Sequence, residues 1–337
     1  MLSRVAESIY WMNRYVERAE NVARFIDVNL NLELDMPASP GSGAGGGGQA
    51  VVGQWQPLIW TTGDEKLFAT RYPDFSRENV IQFLTFDDEN PNSIRSCIRL
   101  ARENARSVRE AISSEMWLTL NRFYLMMHEH GAPERAEADP YTFYSDVRTT
   151  STLFIGETMG TMSHGEGWHF GRIGRLVERA DKTSRILDVK YYILLPTMEA
   201  VGMPIDTLQW AAVLKSASGL EMYRKRFNSI TPRRVSEFLL LDREFPRSLL
   251  FCMTEAEESL RFITGSRPDT FSNPAEHRLG RLLGDLHYVQ IAEIFKTGLH
   301  EYIDSVQTRL NGVDDAMYHT FFEVRPEVPE VSQSQSQ

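Results

Sequence analysis

MLSRVAESIYWMNRYVERAENVARFID, residues 1–27, has the spacing of one long amphipathic helix. Ile9, Met12, Val16, Ala19, Ala23, Ile26 and, just beyond, Leu30 recur at steps of three and four, which places them on one stripe facing a core. Trp11, Tyr15 and Val22 widen that stripe on one side. The other sector carries Glu7, Tyr10, Asn13, Arg14, Glu17, Glu20, Asn21 and Arg24. Glu17 lies one turn from Arg14, Glu20 and Asn21, close enough for side-chain pairing along the helix.

The pattern returns. Glu17-Arg18-Ala19-Glu20 reappears as Glu178-Arg179-Ala180-Asp181, an offset of 178 − 17 = 161. At that offset Arg14 meets Arg175, Arg24 meets Arg185 and Asp27 meets Asp188. A second, ungapped register has an offset of 155. It pairs Trp55 with Trp210, Phe83 with Phe238, Asp87 with Asp242, Pro91 with Pro246, Cys97 with Cys252 and Arg106 with Arg261. Fixed spacing over so long a run is the mark of internal repetition. The expected fold class is therefore all-α, with two pseudo-symmetric helical bundle units from an internal duplication: 1–163, 164–325, and a disordered tail at 326–337.

The two registers differ by six residues, so the first unit carries an insertion before Trp55. GSGAGGGG (41–48) lies there, within a Gly-rich loop at 39–49. Such composition forms a flexible connection, either a tolerated insertion or a flap over a site. Helices are expected near 2–33, 77–86, 92–112, 114–130, 141–163, 166–195, 205–216, 232–241, 246–264 and 277–310, with N-caps at Ser76 and around Asn92-Ser93. No stretch alternates as a strand does. The VSQSQSQ end (331–337) is low-complexity.

Bulk composition excludes several classes. A net charge of −10 leaves no general nucleic-acid or anionic-membrane surface. No run approaches the 18 apolar residues of a membrane span, and no secretory leader opens the chain, so the expected location is cytoplasmic. Cys97 and Cys252 then read as reduced, buried small hydrophobes. No phosphate-binding loop and no nucleophile motif is present. Glu166-Gly-Trp-His169 is an E-x-x-H, but a di-metal bundle needs two such motifs and further carboxylates; neither a metal nor a cofactor is expected.

Basic residues are chosen unevenly, 30 Arg against 6 Lys. Arg binds carboxylates bidentately, which suits half-buried ion pairs and oxyanion sites; a GC-rich genome gives the same bias. On the second helix the polar sector holds Trp168, Gly171, Arg175, Glu178, Asp181, Lys182 and Arg185. Gly171 and Gly174 allow close approach by another backbone or a ligand. The duplicated Arg/Glu face is either structural cross-bracing or a site for an anion or carboxylate. Arg95, Arg99, Arg102, Arg106 and Arg109 line a second basic stretch, solvated or facing an acidic partner.

Residues 1–27, 90–110, 167–191 (GWHFGRIGRLVERADKTSRILDVKY) and 238–252 (FLLLDREFPRSLLFC) together resemble the alpha-E domain family. The resemblance runs from residue 1 to about 310 and excludes the Gly-rich loop and the tail. It implies an all-helical bacterial protein that accompanies an ATP-grasp-type carboxylate–amine ligase and a transglutaminase-like protease. The expected role is a non-catalytic helical partner in forming peptide or amide bonds. It would bind a carboxylate-bearing peptide or dock the ligase through Tyr10, Arg14, Glu17, Arg18, Glu20, Arg24, His169, Arg172, Arg175, Glu178, Arg179, Asp181 and Arg185. The rival is an amide- or ester-processing enzyme with Glu17 or Glu178 as general base; a third reading is a purely structural scaffold. Flanking arginines lower a carboxylate's pKa, which disfavours the base.

Overall fold

The computed structural model describes residues 1–35, 48–193, 204–268 and 270–323. The tail at 326–337 and most of the Gly-rich loop lie outside them. Among the described residues the chain is helical throughout, without a strand.

Two long helices form the centre, α1 (Ser3–Asp35) and α9 (Glu166–Ile193). Their contacts climb both helices in the same direction, so the two run parallel. A Cβ on Gly171 would meet the side chains of Asn13 and Ile9, and one on Gly174 would clash with the Tyr10 carbonyl oxygen. The two glycines thus admit the neighbouring helix, the first of the two uses expected for them. The whole apolar stripe of α1, from Ile9 to Leu30, is buried.

Each central helix has a group of three helices beside it, two of which pack on it directly. Between them in the chain lie α2 (Gly48–Thr62), α3 (Glu65–Arg71), α4 (Arg77–Thr85), α5 (Ile94–Ser107), α6 (Ser114–His128), α7 (Ala132–Ala138) and α8 (Pro140–Thr161). Of these, α5 and α8 pack on α1, and α6 closes the group against both. After α9 come α10 (Pro204–Ser216), α11 (Leu220–Arg226), α12 (Pro232–Leu241), α13 (Leu249–Thr264), α14 (Pro274–Tyr288), α15 (Ile291–Thr297) and α16 (Leu299–Met317), then a π-helical turn, Tyr318–Phe322. Here α13 and α16 pack on α9, with α14 against both. In addition α2 packs on α9 and α10 on α1, which ties the two groups together. One hydrophobic core runs through both groups, with a smaller cluster under α1, α5 and α6.

Local chemistry sets the helix starts. Ser93 caps α5 by accepting from the Ser96 N–H, and Ser248 caps α13 by accepting from Phe251. Asp139-Pro140 and Asn273-Pro274 start α8 and α14 with a capping side chain and a proline that needs no N–H partner. Ser76 does precede α4, but its hydroxyl makes no capping bond.

Four expectations are corrected. Residues 48 and 49 belong to α2 and not to the loop, and α2 itself and the short helices α3, α7 and α11 were not expected. The helix expected over 92–112 ends at Ser107. The single helix expected over 277–310 is three. The chain turns at Gln290, whose N–H is held by Glu293 (2.8 Å), and at Gly298, whose φ of 112° a helix does not allow.

Candidate functional site

The charged faces of α1 and α9 meet each other, and they meet buried. Glu17 and Glu178 are both fully enclosed. Each takes the arginine of the other helix. Arg18 donates from Nε and Nη2 to the two carboxylate oxygens of Glu178, at 2.7 and 2.9 Å. Arg179 donates in the same two-pronged way to Glu17, at 2.8 and 2.9 Å. These reciprocal pairs set the register of α1 against α9, because a slip of either helix would break both.

Further cations complete two corners. At the first, Glu178 also accepts from Arg14 Nε (3.0 Å), and Lys182 stands 3.7 Å away. Arg14 reaches on to Asp314 of α16, which also takes the Tyr10 hydroxyl. Arg18 donates to the Asn92 side chain (2.6 Å), and Arg185 pairs with Asp181 (2.9 Å). At the second corner Arg247 donates to Glu17 (3.1 Å), Asn21 (3.0 Å) and Glu20 (2.6 Å), and Arg24 also pairs with Glu20.

The electrostatics follow from this crowding. Burial pushes the Glu17 carboxyl up, but Arg179 and Arg247 outweigh it and hold the group below its ordinary value. The same contest, with Arg18, Arg14 and Lys182 winning over burial, holds Glu178 well below. Glu20 is brought down to about 2 against burial by Arg247 and Arg24. Burial raises the Tyr10 phenol, and Asp314 adds to the shift. The two thiols behave as core groups, free and buried, each pushed up to about 12, chiefly by desolvation.

The first corner opens into a polar cavity of about 200 Å³. Arg14, Arg18, Lys182 and Arg185 line it, with Asp181, Asp314, Asn92, Asn311 and Thr62. Lys182 is the member least satisfied by the protein. It is 4 % exposed, and its ammonium lies 3.3 Å from Asp181 and 3.7 Å from Glu178. A charge-assisted bond is normally about 2.7–2.9 Å. Arg185 also lines a neighbouring cavity of about 590 Å³ with Trp60, Lys66, Asp188 and Gln307. A small polar chamber therefore adjoins a larger, more apolar one.

A chain whose decisive feature is a Glu-Arg pair on each of two long helices matches, over residues 1–322, the family model described as a predicted alpha-helical domain with a conserved ER motif. The chain belongs to the Alpha-E family. The Alpha-E chain is similar to uncharacterized proteins of Mycobacterium bovis and of two Mycobacterium tuberculosis strains. The identity is 25 % for the first of these over 334 residues, covering 94 % of this chain and 36 % of the relative; for the two tuberculosis proteins it is 25 % and 24 %. The chain thus spans about a third of the length of the curated relatives it matches. No solved structure matches it significantly.

Of the residues singled out from sequence, Tyr10, Arg14, Arg18, Glu178, Asp181 and Arg185 gather at the first corner. Glu17, Glu20, Arg24 and Arg179 gather at the second. Arg175 lies beside that second corner without an ion pair. His169 and Arg172 belong elsewhere: His169 stacks on Phe262, and Arg172 pairs with Glu255 and with Glu258 (2.9 Å) on α13. The arginines of α5 divide. Arg95 and Arg102 lie over aromatic rings and donate to Met127 and Asn121, whereas Arg99 and Arg106 are exposed.

Sequence reasoning placed Lys182 on the charged face without naming it a site residue, and it missed Asn92, Arg247 and Asp314. Asn92 and Arg247 were reachable, since 247 − 92 = 155 places them at matching positions beside the two Glu-Arg pairs. Asp314 left no signal, because α16 is brought to Arg14 only by the fold.

Proposed function

We propose that this Alpha-E chain is a binding component, not a catalyst, of an amide-bond-forming system, and that the cavity beside Lys182 holds the carboxylate of a peptide. The observation that carries this reading is the ammonium of Lys182, buried in a polar chamber among arginines already committed to Glu178 and Asp181. A carboxylate entering there meets an ammonium free to turn its protons toward it, and the rims of Arg14 and Arg185. Asp314 and Asn311 would take N–H groups of the same ligand. The adjoining cavity, within the roughly 300–1,000 Å³ of small-ligand sites, has room for the body of the peptide against Trp60.

The depressed carboxyls of Glu17 and Glu178 speak against general-base catalysis. A base held far below neutral by two or more cations accepts a proton poorly at pH 7, and both oxygens of each are already taken by guanidinium donors. An ATP-grasp-type ligase as the partner remains the expectation from the family resemblance.

The same reading takes the chain as two repeat units, 1–163 and 164–325. Helices α3, α4 and α5 begin at 65, 77 and 94, and α11, α12 and α13 at 220, 232 and 249, each 155 later. Gly63 and Ser218 (218 − 63 = 155) both adopt positive φ, 79° and 52°, in the turn after the preceding helix.

The test is calorimetric titration of the wild type and of Lys182→Met with tri-alanine bearing a free or an amidated C-terminus. Binding of the free acid alone, weakened at least about tenfold in Lys182→Met, is expected for one lost ionic contact of about 1.4 kcal/mol or more. Equal binding of both peptides, or none, would overturn the reading. Copurification of a ligase from the host with the wild type tests the partner separately.

A further inference from the structure

Arg175 is buried, with 9 % of its surface exposed, and within the charged centre it is the described cation without an ion pair. Its Nε is sealed from solvent and has no hydrogen-bond partner. Burial and the neighbouring Arg179 draw its pKa down to about 10, so the group is still charged at neutral pH. An uncompensated buried charge is among the costliest features a fold can keep.

The cause is visible by comparison with Arg14, the residue 161 positions earlier. Arg14 is saturated by Glu178 and Asp314. The matching acceptor for Arg175 is Glu17. Its Oε1 is already taken by Arg179, Arg247 and Asn21, and its Oε2 by Arg179. Arg247 is the intruder: the first corner has the neutral Asn92 at the matching place. The second corner therefore holds four guanidiniums, Arg24, Arg175, Arg179 and Arg247, against the two carboxylates of Glu17 and Glu20.

We propose that Arg175 anchors a second anion site, beside Glu17 and Cys252 at the other corner of the molecule, and that it takes a carboxylate. Charge decides the class. On its own helix Arg175 is flanked by Arg172 and Arg179, and both are already matched, by Glu255 and Glu258 and by Glu17. With Arg24 and Arg247 and their shared Glu20 counted in, five guanidiniums face four carboxylates, so one positive charge is left over, which a monoanion balances and a phosphate dianion exceeds. The planar fork of a guanidinium fits the two oxygens of a carboxylate. This site is independent of the Lys182 cavity, so the two proposals stand or fall separately.

The experiment is thermal unfolding of the wild type and Arg175→Met at pH 7, in sodium acetate, sodium phosphate or sodium chloride at equal ionic strength. In chloride, Arg175→Met unfolds higher than the wild type, because it removes a buried unpaired charge. Acetate raises the wild-type midpoint saturably, by about 1–4 °C at high occupancy, and leaves Arg175→Met unmoved. An equal acetate effect on both proteins, no effect on the wild type, or a larger effect of phosphate would overturn the assignment. Should Arg175→Met not fold, the arginine Nε–H resonances of the wild-type protein give the same reading. One of them moves on titration with acetate; if none moves, or if all move together, the site is refuted.

Discussion

Replacing Glu178 by Gln tests the central claim that the crossed pairs are buried and committed. The amide keeps the shape of the carboxylate but loses its charge and turns an NH2 toward guanidinium donors. In the structure the two Glu178 oxygens accept from Arg18 at 2.7 and 2.9 Å and from Arg14 at 3.0 Å, with Lys182 in ionic range. Arg14 retains Asp314, and Lys182 retains Asp181, but Arg18 retains only the neutral Asn92. One guanidinium is thus stranded in a buried setting, and breaking such a pair costs about 3–5 kcal/mol. Against a total stability of about 5–15 kcal/mol, that is a large fraction. The assay is urea unfolding followed by circular dichroism at pH 7, on the wild type, Glu178→Gln, Arg18→Gln and the double variant. The double variant should lose less than the sum of the singles by at least about 1 kcal/mol, since the second change removes the stranded charge. A single-variant loss below about 1 kcal/mol, the value of an exposed pair, would refute the reasoning.

Acid should unfold the protein through the same groups. The Glu20 carboxyl sits at about 2 in the fold against an ordinary 4.5, so the unfolded chain takes up the proton first. Its stabilisation is complete above about 4.5 and is lost as the pH falls toward 2. The difference amounts to about 3 kcal/mol, and Glu20→Gln should flatten the fall in urea midpoint measured from pH 6 to 3. Gly174→Ala should destabilise by about 1–3 kcal/mol, because the new methyl meets the Tyr10 backbone, which cannot turn aside. Gly284→Ala, facing open space on α14, should instead stabilise by about 0.5–1 kcal/mol in the same denaturation assay. Cys97 and Cys252, buried and pushed up to about 12, should resist iodoacetamide at pH 8 until denaturant is added; labelling of the native protein, read by mass spectrometry, would contradict their placement.

Much of the candidate site is legible in the amino-acid sequence. The stripe from Ile9 to Leu30 announces a buried face, and the two Glu-Arg pairs name the residues that meet. What the spacing does not say is whether that polar face meets water or another helix. Charges at helical intervals look the same in either setting. The answer lies with Gly171 and Gly174, which let α1 come close enough to enclose both carboxylates. His169 and Arg172 share the helix with Glu178 and group with it by sequence, yet they turn to α13, since residues nearer the start of α9 meet different neighbours.

The sequence alone determined the helical class, the length and faces of α1 and α9, and which side chains would carry charge, because these depend on periodicity and on chemistry within a few turns. Only the tertiary structure decided which acid takes which base. Glu17 goes to Arg179 and Glu178 to Arg18, while Asp314 reaches Arg14 from 300 residues away. It also decided that Lys182 and Arg175 are left incompletely matched. Pairing across a core depends on how close and in what register two helices lie, and no property of either helix by itself contains that information.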